Sequence, residues 1–248
     1  MIIIKSASEL DSMRRVNQMT ARVRNAVAAH VKPGITTQEL GDFAQKLIRE
    51  AGGVSAFYGY YGYSGQICTS VNEEVVHGIP GRRVIKEGDI VSIDTGIAFE
   101  SFMGDTAVTV AVGAIDPEKQ RLLDVTKASL DAGIAKAVEG NRLGDISHAI
   151  QTVVEAAGFS IVRDFVGHGI GRDLHEDPQI PNFGKPGRGP KLRAGMTLSI
   201  EPMVNMGKNK VQILDDNWTV VAKDGSASAH FEHTIAVGKT KAEILTLV

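Results

Sequence analysis

Apolar positions along the chain alternate between helical spacing and strand-like runs, and they do so twice. Leu10, Met13, Val16, Val23 and Val27 make one stripe at helical spacing. Ser8 is placed to cap that helix, with Asp11 near its positive end, and Lys32-Pro33-Gly34 stops it. Thr36 and Glu39 form a capping-box pattern for a second helix that carries Leu40, Phe43, Leu47 and Ile48 and ends at Gly52-Gly53. Residues 54–80 are rich in Gly, Tyr and Ser without a helical period, which predicts loops and short strands shaping a cleft. Residues 90–97 and 106–112 read as strands, separated by a turn region containing Gly104. Asp116 before Pro117 caps a third helix running toward Val138. Gly140 and Gly144 punctuate, and a fourth helix carries Ile146, Ile150, Val153 and Val154 up to Gly158. Strands resume over residues 161–166. Residues 182–191, with Lys185, Arg188 and Lys191, read as a solvated loop, and the remainder as strands. The order helices, strands, helices, strands predicts a duplicated α+β fold. No stretch has the composition of a linker, so one domain over residues 1–248 is expected.

Composition narrows the class. The chain has 248 residues, 43% of them hydrophobic, enough for a sizeable core. A formal charge of −2 gives no reason to expect DNA or an anionic membrane as partner. The apolar run Ile2-Ile3-Ile4 is too short for a secretory signal, and no stretch approaches the roughly 18 apolar residues of a membrane span. The one cysteine, Cys68, can form no intramolecular disulfide. A cytoplasmic protein without a targeting segment is expected.

The two halves echo each other in detail. Gly88 to Asp94 runs glycine, apolar strand, Ser-Ile, carboxylate, and so does Gly195 to Glu201. Thr109-Val110-Ala111-Val112-Gly113 is echoed by Thr234-Ile235-Ala236-Val237-Gly238, each after a second acid, Asp105 or Glu232. His77-Gly78-Ile79 and His168-Gly169-Ile170 lie upstream in their respective halves. Carboxylates in apolar strand sequence are expensive to bury unpaired, and a cation would satisfy them. Asp94, Asp105, Glu201 and Glu232 carry four negative charges, which two divalent ions would neutralise. One imidazole among oxygen ligands suits Mn, Fe, Co or Zn better than Ca or Mg. Of the other histidines, His30 and His148 sit in helical stretches and carry no partner pattern. His230 and His233 flank Glu232 and are expected on the face opposite it, which argues against both as ligands. His77, His168 and His175 lie in Gly- or Pro-containing loop sequence, where catalytic groups tend to sit.

Six segments in order then resemble the signature of type I methionine aminopeptidases. They are Asn72 to Pro80, Asp94-Thr95-Gly96, Gly104-Asp105-Thr106, Gly167 to Gly171, His175-Glu176-Asp177-Pro178, and Ser199-Ile200-Glu201-Pro202. The resemblance runs nearly end to end and implies the pita-bread fold, an α+β structure with a pseudo-twofold internal duplication. It implies a methionyl aminopeptidase that removes the N-terminal methionine from nascent polypeptides and favours small second residues. Asp94 would chelate one metal, Asp105 and Glu232 would bridge both, and His168 and Glu201 would complete the other. Glu201 would accept the proton from water, His175 would stabilise the oxyanion, and His77 would bond the next amide nitrogen. Tyr60, Tyr63, Cys68 and Trp218 match positions that line the methionine pocket, and Asn72 and Ser228 a monovalent-cation site of some members. Two positions depart from the pattern: Phe57, where many bacterial members have cysteine, and Leu174, where an aromatic residue is common. The resemblance also implies a monomer in transient contact with the ribosome, and a chain without the zinc-finger extension of longer members. Two other readings fit parts of the pattern. Proline- or creatine-cleaving relatives share the metals but usually carry a large N-terminal domain, and non-catalytic binding modules on this fold typically lose ligands.

Overall fold

The first helix is capped two residues earlier than expected. The computed structural model describes residues 1–248. In it α1 spans Ala7–His30, and Ser6 rather than Ser8 is the N-cap. The Ser6 side chain accepts the Glu9 N–H while the Glu9 carboxylate accepts the Ser6 N–H, so the two residues satisfy each other's end of the helix. Asp11 pairs instead with Arg14. The second helix, α2, spans Thr37–Glu50 with the expected Thr36–Glu39 capping box, and Gly52 follows it with φ +82°. In the second half, α3 spans Pro117–Ile134, capped by Asp116, and α4 spans Leu143–Ala156. Gly144 does not punctuate: it lies inside the first turn of α4. A Cβ there would come within 2.4 Å of the Lys185 carbonyl oxygen, so the loop can cross only a glycine. No helix is long and apolar enough to cross a membrane.

The first pair of helices covers one sheet, and the second pair covers strands from two of the chain's four sheets. Val23, Val27, Leu40, Ala44 and Ile48 of α1 and α2 pack on Ile67, Val71, Val91, Ile93 and Ile97. Leu122, Leu130, Ile146 and Ile150 of α3 and α4 pack on Leu198, Ile200, Val204 and Ile235. The first sheet is built on the hairpin of strands Ile90–Phe99 and Phe102–Ala111, longer than expected. Its turn is not the glycine region but Glu100-Ser101, both at positive φ (48° and 65°), the conformation that suits the twist of a two-residue hairpin loop. The second sheet has five strands, with Thr197–Ile200 between His233–Ala236 and Gly167–Gly169. Of the expected strand 161–166, only Ser160–Ile161 forms.

The repeated serines and threonines have a structural reason. Ser92 lies opposite Thr109, and their hydroxyls meet at 2.8 Å. Ser199 lies opposite Thr234, and theirs meet at 3.0 Å. The two threonines then join the halves. Thr234 Oγ1 donates to the Asp105 carbonyl at 2.8 Å, and Thr109 Oγ1 donates to the His230 carbonyl at 2.7 Å. Thr106 Oγ1 adds a bond to the Glu232 carbonyl at 2.8 Å, and the Glu232 N–H donates to Ala107 at 3.0 Å. The carboxylate-bearing segments are thereby tied at the seam between the two halves.

Candidate metal centre

Strand geometry brings the five expected ligands toward one another. Asp94 lies opposite Ala107 and Asp105 opposite Gly96, so both acids share one face and each faces a small partner. His168 lies opposite Ser199, which puts it on the same face as Glu201 two residues on. Glu232 lies just before His233, the partner of Ile200, so it stands across from Glu201 at the end of the ladder. Ligand atoms of Asp105, His168 and Glu232 come within 4.8 Å of one another, all three residues buried. His168 Nε2 is 3.5 Å from Glu201 Oε1 and 3.8 Å from Asp105 Oδ2. His168 is on a short strand rather than a loop. Its Nδ1 meets the Gly169 carbonyl at 2.9 Å, and a carbonyl can only accept, so Nδ1 carries a proton and Nε2 is the nitrogen that can turn a lone pair to a metal.

The electrostatics call for a cation. Asp94 Oδ1, Asp105 Oδ1 and Glu232 Oε1 are buried without a hydrogen-bond partner. Burial, aided by the neighbouring carboxylates, pushes Asp105 and Glu232 well above the ordinary range and Asp94 up to about 7. Burial would raise Glu201 too, but the imidazoles of His230, His168 and His77 outweigh it, and this carboxyl lies below its usual value. No lysine or arginine lines the pocket. Arg24, buried behind it, donates to Thr106 at 2.5 Å and not to a carboxylate. Orphaned anionic oxygens beside a free imidazole nitrogen are the donor set of a divalent transition metal, so these residues fit the expected ions.

His230 was expected to turn away from this centre, and it does not. The strand Ser228–His230 ends before Glu232, and the two lie on separate pairings, so simple alternation does not hold across Phe231. His230 is buried, and its Nε2, which makes no aligned hydrogen bond, is 3.4 Å from Glu201 Oε2. The repeat itself held the signal. Asp105 precedes Thr109 by four residues, and the residue four before Thr234 is His230, not Glu232. The second acids are therefore out of register by two, and His230 is the counterpart of Asp105.

Beside the carboxylates lies a cavity of about 270 Å³. That is below the roughly 300–1,000 Å³ of sites for drug-sized ligands and suits one side chain. Phe57, Tyr60, Tyr63, Cys68, His77, Leu174, His175 and Trp218 all line it, so the structure brings every expected pocket residue together. Phe57 lies on Gly96, where a Cβ would come within 2.4 Å of its ring. Tyr63 donates to the carbonyls of Ile67 and Gly78 and meets Trp218 edge-on at 5.1 Å. Burial and Asp94 push the Cys68 thiol up, so it is no thiolate nucleophile. Phe165 and Met203 also line the cavity, and the sequence did not mark them; each lies within three residues of an expected ligand, His168 or Glu201. His77 takes positive φ (60°) and packs edge-on against Phe165. Burial lowers the pKa of His77, and burial with His168 lowers that of His175 to about 4, so His175 is neutral at pH 7. His175 Nδ1 lies 2.7 Å from the Tyr60 hydroxyl. Asn72 and Ser228 also meet, through the Ser228 N–H on the Asn72 carbonyl at 2.8 Å; the Asn72 side chain takes Lys119 Nζ at 3.0 Å.

Comparison with known proteins follows the same line. Residues 11–239 match the model of metallopeptidase family M24. The chain is 53% identical to methionine aminopeptidase 1 of Bacillus subtilis over 248 residues, the full length of both. It is 52% identical to a methionine aminopeptidase of Clostridium perfringens, again over all of both chains. The solved structure of methionine aminopeptidase from Thermotoga maritima superposes with a TM-score of 0.98 at 47% identity, covering 100% of each chain. Prolidase from Pyrococcus furiosus gives a TM-score of 0.80 at 18% identity, over 99% of this chain and 66% of the prolidase, a likeness of fold alone.

Proposed function

The chain belongs to metallopeptidase family M24, among its methionine aminopeptidases with their pita-bread fold, and from that premise we propose how its residues remove an N-terminal methionine. The observation that carries the reading is the set of buried, partnerless carboxylate oxygens opening on a pocket the size of one side chain. Asp94, Asp105, His168, Glu201 and Glu232 would hold two divalent ions. Bound there, such ions lower the pKa of water and polarise a carbonyl. Glu201, kept ionised by its three imidazole neighbours, accepts the proton from the attacking water. The Tyr60 hydroxyl donates to Nδ1 of neutral His175, which leaves Nε2–H to meet the oxygen that gains charge. His77 hydrogen-bonds the amide nitrogen of the second residue. The methionine side chain enters among Phe57, Tyr63, Cys68 and Trp218, and the free α-amine lies beside Asp94, which restricts cleavage to chain ends. Substrates on this reading are polypeptides with a free N-terminal methionine and a small second residue, and residues 1–248 act as one catalytic domain.

A peptide pair tests the reading. Metal-loaded protein should release methionine from Met-Ala-Ser and leave a Xaa-Pro peptide uncut. The reverse preference would place the chain with the proline-cleaving relatives in activity as well as in fold.

Phe57 bears on the second residue. Its ring lies over Gly96, two residues from Asp94, and lines the cavity, where it takes space from the substrate. Phe57→Cys should leave metal content unchanged and widen tolerance from Ala, Gly and Ser toward Val and Thr. The shift should be modest, about 1–3 kcal/mol, as for a small change in an apolar pocket. kcat/KM over a Met-Xaa-Ser series checks it, and identical profiles for the two proteins would make Phe57 ordinary packing.

A further inference from the structure

We infer that Lys5 is a positioning residue for His175, acting through the buried carboxylate of Glu176. Lys5 Nζ donates to Glu176 Oε2 at 2.5 Å, with the two side chains only 2% and 6% exposed. The other carboxylate oxygen, Oε1, organises the turn before His175: it accepts the N–H of Arg172 at 2.9 Å and of Asp173 at 3.5 Å. Gly171 opens that turn, and a Cβ there would come within 2.5 Å of Glu176 Oε1 and of Lys5 Cε and Nζ. The turn is thus wrapped on the ion pair with no room for adjustment. Lys5 is itself held at the backbone, where its N–H donates to the Gly195 carbonyl at 2.8 Å. Gly195 in turn donates to Val237 and leads into the strand Thr197–Ile200, at whose end Glu201 stands. One residue therefore links the strand that carries Glu201 to the turn that carries His175. His175 has few other restraints on its polar edge, chiefly the Tyr60 hydroxyl. A side chain that must meet a developing charge loses much of its effect when displaced by about 1 Å, a shift that can cost up to about 100-fold.

The inference rests on the role proposed for His175, and the test separates the two. kcat and KM for Met-Ala-Ser are measured with metal-loaded wild type, Lys5→Met, His175→Ala and the double variant Lys5→Met/His175→Ala. Methionine keeps an unbranched stem of similar length and removes the charge. Lys5→Met should lower kcat about 10- to 100-fold with KM within about twofold and metal content unchanged by elemental analysis. In the His175→Ala background the same substitution should cost less than about twofold, because the group it positions is gone. Removing Lys5 alone leaves a buried unpaired carboxylate that can unfold the protein. Lys5→Met/Glu176→Gln removes both charges, and it should melt near the wild-type temperature while showing the same loss of kcat. An unchanged kcat in this pair variant, or an undiminished loss in the His175→Ala background, would overturn the positioning role and leave His175 where it stands. A His175→Ala protein with full kcat would overturn both.

Discussion

Glu201→Gln is expected to lower kcat by about 10²- to 10⁴-fold, the range for loss of a general base. Glutamine keeps the size of the side chain and cannot take a proton. The expectation comes from the surroundings of Glu201. Its neighbours Asp105 and Glu232 are pushed far up by burial, yet Glu201 lies below its usual value because His230, His168 and His77 face it. It is the one carboxylate of the group whose pKa the protein's own side chains bring below its usual value. Turnover of Met-Ala-Ser is compared at matched metal occupancy, since the residue is also a proposed ligand. A near-normal kcat there would assign the base elsewhere.

Asp105→Asn is expected to abolish turnover and yet stabilise the metal-free protein at alkaline pH. The carboxyls of Asp94, Asp105 and Glu232 have folded-state pKa values above their unfolded ones. Such groups contribute full stability below the unfolded values of about 4, and that contribution is lost as pH rises through the folded values. For Asp94 the window closes at about 7, and for the other two it closes well above their ordinary values. Metal-free protein should therefore melt at a lower temperature at pH 8 than at pH 5, and added divalent ion should raise Tm more at pH 8. An amide at position 105 has no proton to lose and removes part of the repulsion. The metal-free variant should melt above the metal-free parent at pH 8, with the difference shrinking toward pH 5. Equal melting temperatures at both pH values would mean that the buried carboxyls do not repel one another.

Local signals were readable where their cause is local. Thr36 with Glu39 and Asp116 with Pro117 start helices as read, because a cap is decided within four residues. The Ser6–Glu9 box has the same spacing and caps α1 in place of Ser8. Gly104 misled because its reason is tertiary. It sits inside a strand, where a Cβ would come within 3.0 Å of Val16 O and closer to Thr20 Oγ1, so α1 can pack directly on the hairpin. The turn fell instead on Glu100-Ser101, a pair with no glycine to advertise it. The carboxylates stood out in the sequence for an energetic reason, since a carboxylate in an apolar strand demands a partner. His230 was missed because strand alternation was assumed to continue through Phe231, where the pairing changes. Lys5 and Glu176 stand 171 residues apart, and nothing local marks them as a pair.

The central claim is that this carboxylate-histidine cluster works only when loaded with metal. Protein stripped by chelator, with its metal content followed by elemental analysis, is assayed for methionine release from Met-Ala-Ser. Mn, Fe, Co, Ni and Zn are then added back in turn. We predict no turnover in the stripped protein and recovery with at least one transition metal as the bound amount rises toward two ions per chain. Full turnover in protein shown to be free of metal would contradict it.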